Sequence, residues 1–249
     1  MSKVLLKQFN CVQKELFSTF KPLDFLVSIS KPKFTFVDLF AGIGGFRIAL
    51  EQLGGKCLGY SEIDSTAIEV YEQNFISYIN ADEKRLGDIT KITKLPFEVD
   101  VLTGGVPCQP WSIAGKLGGF SDPRGRLWFD VIRIVNLNRP KSFIFENVKG
   151  LTDPRNRKAF DTIISRFKEI GYIVNWQILN SYDFGLPQDR DRVFIVGLKS
   201  DLVSDNYLYF PQKLSEKPKL YDFIDGIEKL DIEKKKFLPE ILFENGIPP

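Results

Sequence analysis

The chain has 249 residues, 43% hydrophobic and 27% charged, with a formal net charge of +2. That is room for one large α/β domain and a small appendage, in a composition ordinary for globular protein. There are no histidines, which excludes Ser-His and Cys-His catalytic pairs within the chain and argues against a protein-built zinc site.

A charge this close to balance does not by itself announce nucleic acid. Cys11, Cys57 and Cys108 are widely scattered, as in a reduced, cytoplasmic protein without a disulfide framework. The longest apolar runs, such as 193–198, are strand-length, so no membrane span is expected. Met1-Ser2-Lys3 leads into a mixed, charged segment, so no secretory signal is expected.

Residues 1–33 read as a leader. Within it Val12 to Phe20 forms a short amphipathic helix, with Leu16 and Phe20 one turn apart, and Ser28 to Lys33 a linker stiffened by Pro32. From Phe34 the pattern becomes regular. Thr35 to Phe40 is a strand, residues 41–45 a glycine turn, and Phe46 to Leu53 a helix closed by Gly54 and Gly55. Lys56 to Tyr60 is a second strand, followed by a helix from Asp64 to Asn74. Val99 to Thr103 and Lys141 to Phe145 are strands on either side of a helix over 126–137. A helix over 157–170 ends at Gly171, and Tyr172 to Leu179 and Arg192 to Leu198 are the last strands. Strands alternating with helices of this length predict a mostly parallel sheet with helices on both faces, a Rossmann-like α/β fold. The expected divisions are the leader, a main domain over 34–200 and an extension over 201–249. In the extension Leu220 to Ile224 is one short element and Glu233 to Lys236 a solvated charge run.

A glycine turn between the first strand and first helix, here Gly42, Gly44 and Gly45, lets backbone approach a ligand, and the helix N-terminus presents free amides. The spacing is not the full dinucleotide fingerprint. Glu62 lies just past the second strand, where an acidic side chain bonds ribose hydroxyls in such folds. Asp88, in Gly87-Asp88-Ile89-Thr90, suits the edge of an adenine or a helix cap equally well. With Phe40 these residues describe a nucleoside pocket at successive strand ends. The residues alone do not choose between a dinucleotide and another nucleoside cofactor.

Cys108 sits in Gly104-Gly105-Val106-Pro107-Cys108-Gln109-Pro110-Trp111-Ser112, just past a strand, where open α/β sheets place ligands. A lone cysteine is usually a small buried hydrophobe. Here the loop setting, the restricting Pro107 and the paired glycines favour a nucleophile. Without a histidine its thiolate needs nearby positive charge or amides. Glu146 follows Phe143-Ile144-Phe145 at the same sheet edge, where a carboxyl can act as acid or hydrogen-bond donor when burial favours its protonated form. Arg190 and Arg192, in Gln188 to Arg192, share one side of an extended segment and form either an ion-pair ladder or a fork for an oxygen or phosphate.

Taken in order, Asp38 to Gly45, Glu62, Gly87-Asp88-Ile89, Pro107-Cys108-Gln109-Pro110, Glu146-Asn147-Val148 and Gln188 to Arg192 resemble the motifs of the cytosine-5 DNA methyltransferases, over about residues 35–225. The resemblance implies S-adenosylmethionine as cofactor. Phe40 and the glycine turn would surround its methionine part, Glu62 would hold the ribose, and Asp88, with Ile89 beside it, the adenine. A cytosine flipped out of duplex DNA would be attacked at C6 by Cys108. Glu146 would bond N3 and the exocyclic amine, Arg192 would contact O2, and Arg190 would support the loop. No metal is implied. The tRNA-methylating branch resembles the same core, while the continuation Trp111-Ser112-Ile113-Ala114-Gly115 is more similar to the DNA branch. The family's target-recognition region and its last motifs do not follow Lys199. A second polypeptide bringing that region is the expectation, against a truncated or non-catalytic nucleoside-binding product. Lys7 to Val12, with Asn10 within it, faintly resembles the last motif, as in a circular permutation that would pack the N-terminal helix beside the cofactor turn.

Overall fold

The computed structural model describes residues 32–75, 82–112, 118–202, 210–219 and 223. The leader helix, Asn10, Ile113 to Gly115 and the charge run at 233–236 lie outside these residues, as does most of the element at 220–224.

The described residues fall into two compact units. The larger draws on residues within 32–179 and 191–212, the smaller on 180–190, 213–219 and 223.

In chain order the elements are β1 (Phe34–Leu39), α1 (Gly45–Gln52), β2 (Gly55–Ser61), α2 (Ser65–Phe75), β3 (Lys84–Arg85), β4 (Val101–Gly105), α3 (Leu127–Asn138), β5 (Ser142–Val148), α4 (Arg157–Glu169), β6 (Tyr172–Asn180) and β7 (Asp191–Lys199). The strands form one sheet in the order β3-β2-β1-β4-β5-β7-β6. β1 pairs in parallel with β2 and β4, which sets Leu39 beside both Ser61 and Gly104. β4 pairs in parallel with β5, and Gly105 lies beside Glu146. The carboxyl ends of four neighbouring strands therefore share one edge. Chain order reverses between β1 and β4, and this is where open α/β sheets hold ligands.

Alternation along each strand sends side chains to both faces. Val37, Leu39, Leu102, Phe143 and Phe145 join the main core with Trp128, Val131 and Val135 of α3 and Phe160, Ile163 and Phe167 of α4. These helical positions recur three and four residues apart, one stripe of each helix. Phe36 instead packs with Leu50 of α1 and Cys57. Tyr60 packs with Ile68, Tyr71 and Phe75 of α2. The sheet is thus buried on both faces, as a doubly wound sheet requires.

Two of the boundary differences bear on the site, and strand pairing accounts for both. β5 continues to Val148 because β7 runs antiparallel beside it, pairing Glu146 with Phe194 and Val148 with Arg192. Glu146 is therefore a strand residue rather than one just past a strand. β4 continues through Gly104, where a Cβ would lie 2.4 Å from the Leu39 carbonyl oxygen. Gly104 permits two strands to close on each other; it does not open the backbone to a ligand.

In the smaller unit residues 180–190 form a closed loop. Ser181 N donates to Arg190 O at 3.1 Å and Asn180 Nδ2 to Asp189 Oδ1 at 2.5 Å. Asp183 pairs with Lys213 at 2.6 Å and also with Lys217. Those lysines, Lys213 first, hold its carboxyl below the usual range.

Candidate active site

The glycine turn is built from the backbone outward. Phe40 leaves β1 with φ 55, Gly42 follows at φ 54 and Gly44 at φ 96. A left-handed phenylalanine is uncommon, and such conformations gather at functional turns. Ala41 N donates to Ser61 O at 3.0 Å, tying the turn to the end of β2. The Glu62 carboxylate closes it. Its Oε2 accepts from Gly42 N at 2.9 Å and its Oε1 from Ile63 N at 2.7 Å and Asp64 N at 3.0 Å. A Cβ on Gly42 or Gly45 would meet nothing within 4 Å, whereas one on Gly44 would lie 2.2 Å from the Phe75 ring. Gly44 thus serves helix packing, and Gly42 and Gly45 border open space.

Gly87 also borders open space, and its carbonyl accepts from Ser61 Oγ at 2.6 Å. Asp88 caps the short 3-10 turn Ile89–Lys91, accepting from Thr90 Oγ1 at 2.8 Å and Thr90 N at 2.9 Å. These bonds lower its pKa below the usual carboxylate range, so it stands as an ionised acceptor. Ile89 is 3% exposed and its side chain belongs to the main core. Open space over glycines, flanked by Glu62 and Asp88, fits a nucleoside cofactor.

The turn that carries Cys108 leaves β4 two residues before Pro107. Cys108 is half-buried and free of disulfide, and its carbonyl accepts from Trp111 N at 2.9 Å. The segment 118–126 closes on this turn, with Gly119 N donating to Pro110 O at 3.1 Å and Phe120 set edge-on to Trp111. It carries Arg124, whose guanidinium grips Asp122 at 2.7 Å. The Asp122 carboxylate raises the Arg124 pKa, and the Cys108 sulfur adds a smaller push in the same direction. Arg124 is thus a positive charge within electrostatic reach of Cys108. Sequence reading missed it because it lies well past the run Trp111 to Gly115, and nothing in Asp122-Pro123-Arg124-Gly125 marks it out from a surface loop.

Glu146 faces this turn across the sheet edge: a Cβ on Gly105 would sit 3.6 Å from its Oε2. Arg192 Nε pairs with Glu146 Oε1 at 2.7 Å, both side chains about three-quarters buried. Arg190 precedes β7 and belongs to the smaller unit, where its backbone closes the loop. The shared-side argument holds only inside a strand, so it does not group the two arginines.

Arg47 of α1 is a second residue that sequence reading passed over. It is 1% exposed and binds Glu83 through Nη1 at 2.7 Å and Glu51 through Nε at 2.9 Å. Its position on the buried stripe of α1 was the available signal.

The switch-point edge, the sheet order and the helices on both faces define a Rossmann-like α/β fold. It resembles the Entamoeba histolytica methyltransferase EhMeth with a TM-score of 0.57 at 20% identity, covering 76% of this chain and 58% of that one. A family model described as C-5 cytosine-specific DNA methylase matches residues 34–245, and the chain belongs to that family. Among its relatives, Type II methyltransferase M.HgiBI of Herpetosiphon aurantiacus is 55% identical over 196 residues, 79% of this chain and 44% of that protein. Type II methyltransferase M.HpaII of Haemophilus parainfluenzae is 44% identical over 213 residues, 84% of this chain and 57% of that protein. The chain spans about half the length of the curated relatives it matches. Among the described residues no group of acidic or cysteine side chains suits a metal, and no helix is long and apolar enough to cross a membrane.

Proposed function

We propose that this chain is the catalytic part of a cytosine-5 DNA methyltransferase, the modification arm of a restriction-modification system working in the cytoplasm. The observation that carries it is the convergence of the Cys108 turn with the Glu146–Arg192 pair on the edge that also bears the open glycine turn. Glu62 would hold a ribose, Asp88 an adenine amino group, and Phe40 with the glycine turn the methionine part of S-adenosylmethionine. When bound, that cofactor supplies an electrophilic methyl group.

The residues divide the work as covalent catalysis does, turning one hard substitution into two easier steps. A target cytosine leaves the DNA stack. The Cys108 thiolate, with Arg124 nearby, forms a bond to C6, and electron density moves onto C5. Glu146 binds N3 and the exocyclic amine. Arg192, held to Glu146 through Nε at 2.7 Å, offers its remaining guanidinium N–H groups to O2. After methylation the C5 proton leaves, the sulfur–C6 bond breaks and the thiolate is restored. Arg190 supports the loop whose backbone it closes. The relatives extend well beyond the matched region, and we assign target recognition to polypeptide outside these 249 residues.

The test uses duplex DNA containing 5-fluorocytosine with S-adenosylmethionine, because fluorine blocks the last elimination. A denaturation-resistant adduct at Cys108 is expected, formed when a recognition chain is added. An adduct on tRNA and not on DNA would move the substrate to RNA. No adduct on either, with cofactor bound, would overturn the catalytic reading.

A further inference from the structure

The turn that carries Cys108 cannot hold itself in place. Pro107 and Pro110 have no N–H to give, so residues 106–111 cannot close a regular pattern of backbone bonds. Their carbonyls still need donors, since buried carbonyl groups are almost always paired. Cys108 O finds Trp111 N within the turn, and Pro110 O finds Gly119 N. The two ends of the turn are met by side-chain amides. Asn147, fully buried in β5, donates through Nδ2 to Val106 O at 3.0 Å. Asn156, 5% exposed, donates through Nδ2 to Trp111 O at 3.4 Å and to Gly150 O at 2.7 Å.

Asn156 stands at the N-cap of α4, the position where an asparagine ordinarily accepts a bond from its own helix. It makes no such bond. The side chain turns inward and donates instead, joining the turn after Cys108 to the turn after β5, the strand that bears Glu146. We propose that Asn156 is a positioning residue for Cys108, fixing the downstream end of the nucleophile turn as Asn147 fixes the upstream end. The proposal rests on Cys108 being the nucleophile. Misplacing a reacting atom by a fraction of its working distance is enough to slow chemistry without weakening cofactor binding.

Two variants separate donation from bulk. Asn156→Asp keeps the shape and sets a carboxylate oxygen against two carbonyls; Asn156→Ser keeps one donor and loses volume. Adduct formation with 5-fluorocytosine DNA is expected to slow by about 10-fold or more in Asn156→Asp and less in Asn156→Ser. The affinity for S-adenosylmethionine should stay within about twofold, a split that general destabilisation would not produce. Hydrogen exchange at Trp111 N–H, the bond that closes the turn on Cys108 O, should speed up in both variants while the β1 and β4 amides keep their protection. Unchanged adduct rate and unchanged Trp111 protection in the variants would overturn the proposal. If Asn156→Asp does not fold, Asn156→Ser decides. If the unaltered protein forms no adduct, the catalytic reading fails, and Trp111 exchange alone decides whether Asn156 fixes the turn.

Discussion

Asp38 lies fully buried at the end of β1, with Oδ2 lacking a partner among the described residues and Oδ1 accepting from Thr103 Oγ1 at 3.2 Å. Burial raises its pKa from 3.8 to about 7, the Thr103 bond and the Arg47 charge opposing the rise. Between those values the folded chain binds a proton that the unfolded chain has lost. Stability from this group is therefore fully present below about pH 4 and is lost as pH rises through about 7. Asn at this position should flatten that slope, measured as urea midpoints across the window. A residual slope equal to the parent's would assign it elsewhere. Cys108→Ser should remove the 5-fluorocytosine adduct while leaving S-adenosylmethionine affinity intact.

The elements around the glycine turn respond differently to similar changes. Gly44 has φ 96 and no room for a Cβ against Phe75. Gly44→Ala should destabilise by about 1–3 kcal/mol from backbone strain and overpacking. Gly42 borders open space, so Gly42→Ala carries only the left-handed backbone cost of about 1–2 kcal/mol and should weaken cofactor binding by entering the cradle. Denaturant titrations set beside cofactor titrations would separate the two. Arg47 pairs with Glu51 within α1 and ties that helix to Glu83 in a nearly dry setting. Arg47→Ala would strand two carboxylates and should cost about 3–5 kcal/mol, read in the same titration. The glycines and Glu62 were legible in the sequence because special turns and strand-end acids leave marks in the residue order. Which glycine faces ligand space and which faces a ring was not, since that depends on where α2 docks.

Across the whole molecule stability rests on aromatic contacts between sheet and helices. Phe143 is fully buried, with its ring centroid 4.4 Å from that of Phe167 and 5.1 Å from that of Phe145. Gly197 of β7 leaves it space, since a Cβ there would fall 2.2 Å from the Phe143 ring. Phe143→Ala should therefore cost about 3–5 kcal/mol, seen as a lower denaturation midpoint; a loss under about 1 kcal/mol would mean the core relaxes around the gap. The alternation of strands and helices, the strand-end position of Cys108 and the acids at 62 and 88 follow from local periodicity and residue type, which the order of amino acids carries by itself. The reversed β7, the extension of β5 through Glu146, the Glu146–Arg192 pair and the inward turn of Asn156 were decided only in the folded protein. Each depends on which distant segments lie side by side, and strand neighbours and amide partners are chosen by packing across tens of residues rather than by the residues next in line.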